Sequence, residues 1–330
     1  MSPAAPDRPD LRYPSEEGVP WTVLHLINWS TSYLESKGVD CARLDAEHLL
    51  AHVLETDRLG LYLEFDRPVR TEDLTRFKPL LLDRSRRKPL QYVLGRTAFR
   101  GMELVTDPRV LIPRPETEEL VEAVLKHVAE WGRGRLRALD VGTGCGAIAL
   151  ALAQEGPFDH VLATDASQTA LDVAKENVRS LGLQKQIELR HGVSLGVVRP
   201  AERFHVLVSN PPYVSEEDFR ELQPEVRDWE PREALVAGSG GLAVLSDLVE
   251  GAYRVLEAGG LLALEVGFGQ APSIAELIRG TRGFESPVVL RDLCGTERVV
   301  LSRWSGEGSI HLQGNDSIAS RESLAATGPA

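Results

Sequence analysis

Leu136-Arg137-Ala138-Leu139-Asp140-Val141-Gly142-Thr143-Gly144-Cys145-Gly146 is the stretch that decides the fold. Its first half is a nearly continuous apolar run, as expected of a strand buried on both faces. Its second half is a glycine turn, and Ala147 to Gln154 continues as an apolar helix. Strand, glycine loop and helix in that order open a doubly wound α/β unit. The alternation continues toward the C-terminus. Val161 to Thr164 is a second strand ending at Asp165, and Ser167 caps a helix with Ala170, Leu171, Ala174, Val178 and Leu181 on one face. Ile187 to Arg190 and His205 to Ser209 are the third and fourth strands. Leu242 to Leu256 is a helix, Leu261 to Val266 a strand and Ile274 to Arg279 a helix. Val288 to Arg291 and Glu297 to Leu301 are two strands joined through Gly295. That join is too short for a crossover, so the pair is a hairpin and one strand runs antiparallel. The expectation is an α/β fold with a seven-stranded, doubly wound, mostly parallel sheet.

Working outward toward the N-terminus, Glu116 to Trp131 is an amphipathic helix. Residues 89–115 form a Pro- and Gly-punctuated connection with extended character. Residues 21–88 read as helices only. Trp21 to Lys37 ends at Gly38, Asp40 caps a second helix, and Thr71 opens a third whose end carries Arg84, Arg86, Arg87 and Lys88. The expected plan is a Pro-rich, disordered leader (1–20), a small all-helical domain (21–88), a linker or hairpin (89–115), a sheet domain (116–304) and a disordered tail (305–330).

Composition narrows the function. The chain has 330 residues, 42% hydrophobic and 26% charged, with a formal net charge of −12. Residues 1–100 hold 15 basic and 15 acidic side chains, so the excess acid belongs to the sheet domain. Such a balance disfavours stable nucleic-acid binding through a broad basic face. Residues 84–100 are the exception, with Arg84, Arg86, Arg87, Lys88, Arg96, Arg100 and no acid. They read either as a docking surface, touching RNA or an acidic protein, or as a solvated helix end. No apolar run is long enough for a membrane span. The three cysteines, Cys41, Cys145 and Cys294, form no CxxC pair, and the eight histidines show no metal spacing. We expect a reduced, cytoplasmic, monomeric protein without a metal.

Two segments carry chemistry. The glycines at 142, 144 and 146 let a ligand approach the backbone where a Cβ would clash. Asp165, at the end of the next strand, can accept hydrogen bonds from ribose hydroxyls or serve its own helix as a cap. The fourth strand delivers Asn210-Pro211-Pro212-Tyr213 at its C-terminal end, where ligands bind in such sheets. Asn210 and the Pro211 carbonyl are acceptors, two prolines stiffen the turn, and Tyr213 adds a flat face. This is a cradle for a planar –NH2 on an sp² carbon, whose delocalised lone pair needs orientation before it can attack a methyl donor.

The GxGxG spacing resembles class I S-adenosylmethionine-dependent methyltransferases rather than dehydrogenases. With Asn-Pro-Pro-Tyr, the chain resembles the HemK/PrmC family of release factor glutamine-N5 methyltransferases. Further matches are Leu111-Ile112-Pro113-Arg114-Pro115-Glu116-Thr117-Glu118, Pro89-Leu90-Gln91-Tyr92-Val93-Leu94-Gly95 with Phe99, Asp45-Ala46-Glu47 with Leu49-Leu50, and Glu230-Pro231 with Ala234-Leu235. Coverage runs from about residue 22 to 304. The resemblance implies S-adenosylmethionine as cofactor, held by Asp140, Gly142, Thr143, Gly144, Gly146, Asp165 and Asn210. It implies catalysis by Asn210, Pro211 and Tyr213, and substrate contacts from Asn210, Pro211, Pro212, Tyr213, Phe99 and Arg114. It implies release factors as substrate, selected by the helical domain. Alternatives are an adenine-N6 methyltransferase acting on RNA or DNA and a non-catalytic translation-factor adaptor. One position departs from the family pattern: Gly192-Val193-Ser194-Leu195 has valine where an acidic residue usually approaches the adenine.

Overall fold

The computed structural model describes residues 20–132, 134–238 and 241–306. The leader and tail expected at 1–20 and 305–330 lie outside the described residues apart from Pro20, Ser305 and Gly306. Helices come first: α1 (Val23–Ser36), α2 (Ala42–Leu54), α3 (Arg58–Leu63), α4 (Thr71–Ser85) and α5 (Leu90–Leu94). Their apolar faces close on a core of their own, including Leu26, Leu34, Leu49, Leu50, Phe77 and Leu81. Burial of each such side chain contributes roughly 1.5–3 kcal/mol. Thr22 caps α1 by accepting from His25 N, but Asp40 does not cap α2: the N-cap is Cys41, with no side-chain bond.

The connection that follows is a hairpin, β1 (Arg96–Phe99) and β2 (Met102–Val105), paired with Phe99 opposite Met102. Its two turn residues, Arg100 and Gly101, both have positive φ (45° and 76°), as a two-residue hairpin turn demands.

The remaining elements are α6 (Pro115–Ala129), β3 (Leu136–Val141), α7 (Ala147–Glu155), β4 (Phe158–Asp165), α8 (Gln168–Ser180), β5 (Ile187–His191), β6 (Phe204–Ser209), two short helices α9 (Asp218–Glu221) and α10 (Pro224–Arg227), α11 (Ala243–Gly251), β7 (Leu256–Glu265), α12 (Ala271–Gly280), β8 (Val288–Arg291) and β9 (Glu297–Arg303). The sheet order is β5-β4-β3-β6-β7-β9-β8. β3 to β7 pair in parallel, and β9 is antiparallel to both neighbours, as the short join requires. Residues of α6, α7 and α8 cover one face of the sheet, and those of α11 and α12 the other.

This topology positions the site. From β3 the chain winds outward through β4 to β5, then returns to β6 on the other side of β3. The crevice at such a reversal is where open α/β sheets bind ligands. Five parallel strands end on the same rim, so the glycine loop, Asp165, Gly192, Asn210 and Glu265 collect there although far apart in sequence.

The basic stretch is not a free surface. Arg84, buried in the helical region, pairs with Asp45 (2.6 Å) and reaches Glu225 of α10 (3.0 Å). Arg87 also pairs with Glu225 (2.6 Å), and Lys88 with Asp83 (3.0 Å). Lys88 also lies over the Trp229 ring. Arg86 pairs with Asp83, Arg96 with Glu103, and Arg100 with Glu122 and Glu155. Every cation of the stretch has a carboxylate partner. Three of them clamp the helical region onto the segment that follows Asn-Pro-Pro-Tyr.

Candidate active site

The glycine loop is organised from beneath. Asp140, fully buried, accepts from Thr143 Oγ1 (2.6 Å) and from Ala149 N (3.2 Å) through one oxygen. Burial in a place with no cation pushes its carboxyl up to about 7. Asn177, on α8 and also buried, donates to the carbonyls of Cys145 and Val105 and accepts from Val105 N. One side chain thus ties the loop to the hairpin. Cys145 is buried there, and desolvation pushes its thiol up to about 12, so it is no nucleophile.

Asp165 closes the loop from the next strand. Its carboxylate accepts Gly144 N (2.9 Å) through one oxygen and Ser167 N (2.8 Å) through the other. Both oxygens keep further lone pairs for a ligand. Burial raises its pKa, opposed by these two backbone bonds. Ser167, not Asp165, caps α8.

Asn210 to Tyr213 follow β6 beside the loop, anchored by Ser209 Oγ, which donates to Val141 O (2.6 Å). Asn210 Nδ2 donates to Thr117 Oγ1 (3.0 Å), and Thr117 Oγ1 donates to Glu265 Oε2 (2.8 Å). Tyr213 Oη approaches Glu265 Oε1 at 3.5 Å. Thr117 has one hydroxyl proton, which the carboxylate takes, so Thr117 faces Asn210 as an acceptor. That fixes the amide: its NH2 points to Thr117 and Oδ1 is the atom left to a ligand. Gln270 Nε2 holds the Tyr213 carbonyl (2.9 Å) while its own oxygen accepts Gly267 N (2.9 Å). A Cβ at Gly241, where φ is +68°, would collide with that same carbonyl, so only glycine fits.

A cavity of about 650 Å³ opens on this rim, within the usual range for small-ligand sites. Gly142, Gly144, Asp165, Asn210, Pro211 and Pro212 line it, with Val110, Leu111, Val193 and Val244 as apolar walls. Other expected residues stand behind the wall. Asp140 and Thr143 are buried under the loop, and Gly146 begins α7 against Ala174. Phe99 does not wall the pocket: it is 1% exposed in the core beneath the hairpin. Arg114 is ion-paired with Glu230, which also accepts from Ile112 N (3.1 Å), so it braces the loop before α6. Tyr213 packs against the core on the α11–α12 side and turns its hydroxyl to Glu265, rather than facing the cavity. Glu265 and Gln270 stand in no motif of the sequence, and Thr117 appears there only inside the segment that resembles the family, with no site role attached. The Thr117-Glu118 pair reads as an ordinary helix start, and a lone Glu ending an apolar strand was the one available signal.

S-adenosylmethionine fits these residues. At Gly144, φ is +56° and nothing lies within 4 Å of where a Cβ would be, which leaves a cradle for a bulky end group. Asp165 offers acceptors for vicinal hydroxyls, and the far walls are apolar. Among the described residues no group of His, Cys, Asp and Glu is arranged to hold a metal ion.

Comparison with known proteins agrees with this geometry. Residues 25–95 match the PrmC N-terminal domain and residues 117–224 the methyltransferase small domain. The chain is 40% identical over 283 residues to a release factor glutamine methyltransferase of Geobacter sulfurreducens, spanning 86% of this chain and 97% of that protein. It is 37% identical to the one of Rhodopirellula baltica, spanning 85% and 96%. The hMettl16 catalytic domain, solved with MAT2A 3′UTR hairpin 1, shares the fold, with TM-score 0.50 and 19% identity over 69% of this chain and 80% of that one. The helical region, the glycine-loop sheet and near-complete matches to these relatives lead to one conclusion: the chain belongs to the release factor glutamine methyltransferase family.

Proposed function

We propose that this protein transfers the methyl group of S-adenosylmethionine to the side-chain amide nitrogen of the glutamine in the Gly-Gly-Gln motif of peptide chain release factors, in the cytoplasm where these factors act. The observation that carries the reading is the locked amide of Asn210 at the cavity wall. The cofactor supplies a methyl group on a positively charged sulfur. The protein's task is to aim a poor nucleophile at it. Asn210 Oδ1 and the Pro211 carbonyl accept the two N–H bonds of the substrate amide and bring the nitrogen lone pair into line. Pro211 and Pro212 keep the acceptors from relaxing away, so orientation is built in before the substrate arrives. Methylation makes the nitrogen strongly acidic, and its proton leaves to water without a dedicated base. Gly142 and Gly144 hold the amino-acid end of the cofactor and Asp165 the ribose. Asp140, Thr143 and Gly146 support the loop from behind.

The helical region selects the protein. Leu59 and Leu63 of α3 are 66% and 78% exposed, an apolar face suited to a folded partner. Among the described residues no helix is long and apolar enough to cross a membrane. The test is mass spectrometry of a release factor after incubation with enzyme and cofactor. One added methyl on the Gly-Gly-Gln glutamine is expected. Label in RNA adenine with none in the release factor would transfer the reading to the adenine-N6 alternative, because the cradle would hold either amine.

A further inference from the structure

The strand order lays out the cofactor. Asn210 follows β6, the glycine loop follows β3, Asp165 ends β4, and Gly192 to Ser194 follow β5, with β6, β3, β4 and β5 consecutive in the sheet. Neighbouring strands are about 4.8 Å apart, so these four stations are evenly spaced along the rim. With the methyl donor at Asn210 and the ribose at Asp165, the purine of a bound cofactor would fall one station further, beside Gly192, Val193 and Ser194. All three line the cavity. Val193 is 73% exposed and offers a methyl surface to a ring face, but its side chain has no acceptor for the exocyclic amine.

A carboxylate reaches that end from another element. Asp247 of α11 lines the same cavity and accepts from Ser194 Oγ at 2.5 Å. Ser194 is one of five non-glycine residues with positive φ (48°) among the described residues, and its hydroxyl donates across to α11. The Ser194 proton is committed to Asp247 Oδ2, and Oδ1 with the remaining lone pairs is left for a donor. We infer that Asp247 reads the 6-amino group of the adenine, a specificity role held by α11 rather than by the loop after β5. This rests on the proposed cofactor binding.

The test is binding, not turnover. Titration calorimetry would compare S-adenosylhomocysteine with S-inosylhomocysteine, which carries a 6-keto oxygen instead of the amine. Wild type should prefer the adenosyl ligand by about ten- to a hundredfold, because keto oxygen and carboxylate are two acceptors face to face. Asp247→Asn keeps the shape and can turn an NH2 toward the keto oxygen. It should bind the inosyl ligand more tightly than wild type does and lose most of the preference. A gain of binding cannot come from misfolding. Glu250→Ala, on the same helix, should leave both affinities unchanged. If Asp247→Asn retains the wild-type preference, the inference is overturned. If wild type binds neither ligand, the cofactor reading itself fails, which is a distinct outcome.

Discussion

Replacing Glu265 with Gln should remove a pH limb from turnover. Burial pushes this carboxyl up to about 7; the Thr117 bond opposes, Glu116 adds to the rise, and Arg298 and the Tyr213 hydroxyl oppose it. When ionised, Glu265 accepts the hydrogen bond of the Thr117 hydroxyl, Thr117 accepts from Asn210, and Asn210 shows its oxygen to the substrate. When protonated, Glu265 can donate to Thr117, whose proton is freed toward Asn210. The amide is then satisfied only by turning over, which sets NH2 against NH2 at the substrate. Turnover at saturating substrate should therefore be about tenfold lower at pH 6 than at pH 8, with a slope of one below neutrality. Glu265→Gln should be flat over that range. Stability should run the opposite way. A carboxyl whose folded pKa is raised binds its proton more tightly in the fold. That contribution is complete below the ordinary value of 4.5 and is lost as pH rises through about 7. The difference of roughly 2.5 units corresponds to about 3 kcal/mol. Urea unfolding at about pH 4 and pH 8 should show Glu265→Gln gaining on wild type by about that amount. Wild-type turnover that ignores pH, or an unchanged limb in Glu265→Gln, would refute the relay. Asp140 is also pushed up to about 7 but remains in the variant, so a surviving limb would belong to it.

Asn210→Ala should lower kcat by about a hundredfold or more while S-adenosylhomocysteine affinity stays within about twofold, read by stopped assay and calorimetry. Gly144→Val should weaken cofactor binding by at least about tenfold, because it forces a side chain into a positive-φ position facing open space, with little change in the rest of the fold by circular dichroism. Phe99→Ala should cost about 3–5 kcal/mol in urea unfolding, as for a fully buried aromatic, and leave cofactor affinity unchanged. Glu225→Ala removes the carboxylate shared by Arg84 and Arg87; it should cost about 2–3 kcal/mol and raise KM for the release factor more than for the cofactor.

Much of the fold was legible because its signals are local. Apolar runs at strand period, Ser167 ahead of an amphipathic helix and glycines at turns each act within a few residues, so element type and order follow from the sequence. The short join through Gly295 requires an antiparallel final pair. Where local signals are ambiguous, the element boundaries shift. Asp40 was an equally good cap by type, yet the helix begins one residue later. β7 begins at Leu256, earlier than the Leu261 that periodicity singles out: Leu256 pairs with Phe204, and the register then shifts across the stretch holding Gly259 and Gly260 before pairing resumes at Leu261.

The site divides along the same line. The sequence by itself determined that a glycine loop, an acidic strand end and Asn-Pro-Pro-Tyr exist and stand at strand C-termini, since those motifs are contiguous and their backbone chemistry is intrinsic. Only the tertiary structure decided which side chains face the cavity and which hold it from behind. Asn210 meets Thr117 across 93 residues, Thr117 meets Glu265 across 148, and Arg84 meets Glu225 across 141. Such pairings depend on which helices, loops and strands the fold brings together. No spacing in the chain encodes them, and burial then turns ordinary residues such as Thr117 and Glu265 into a relay.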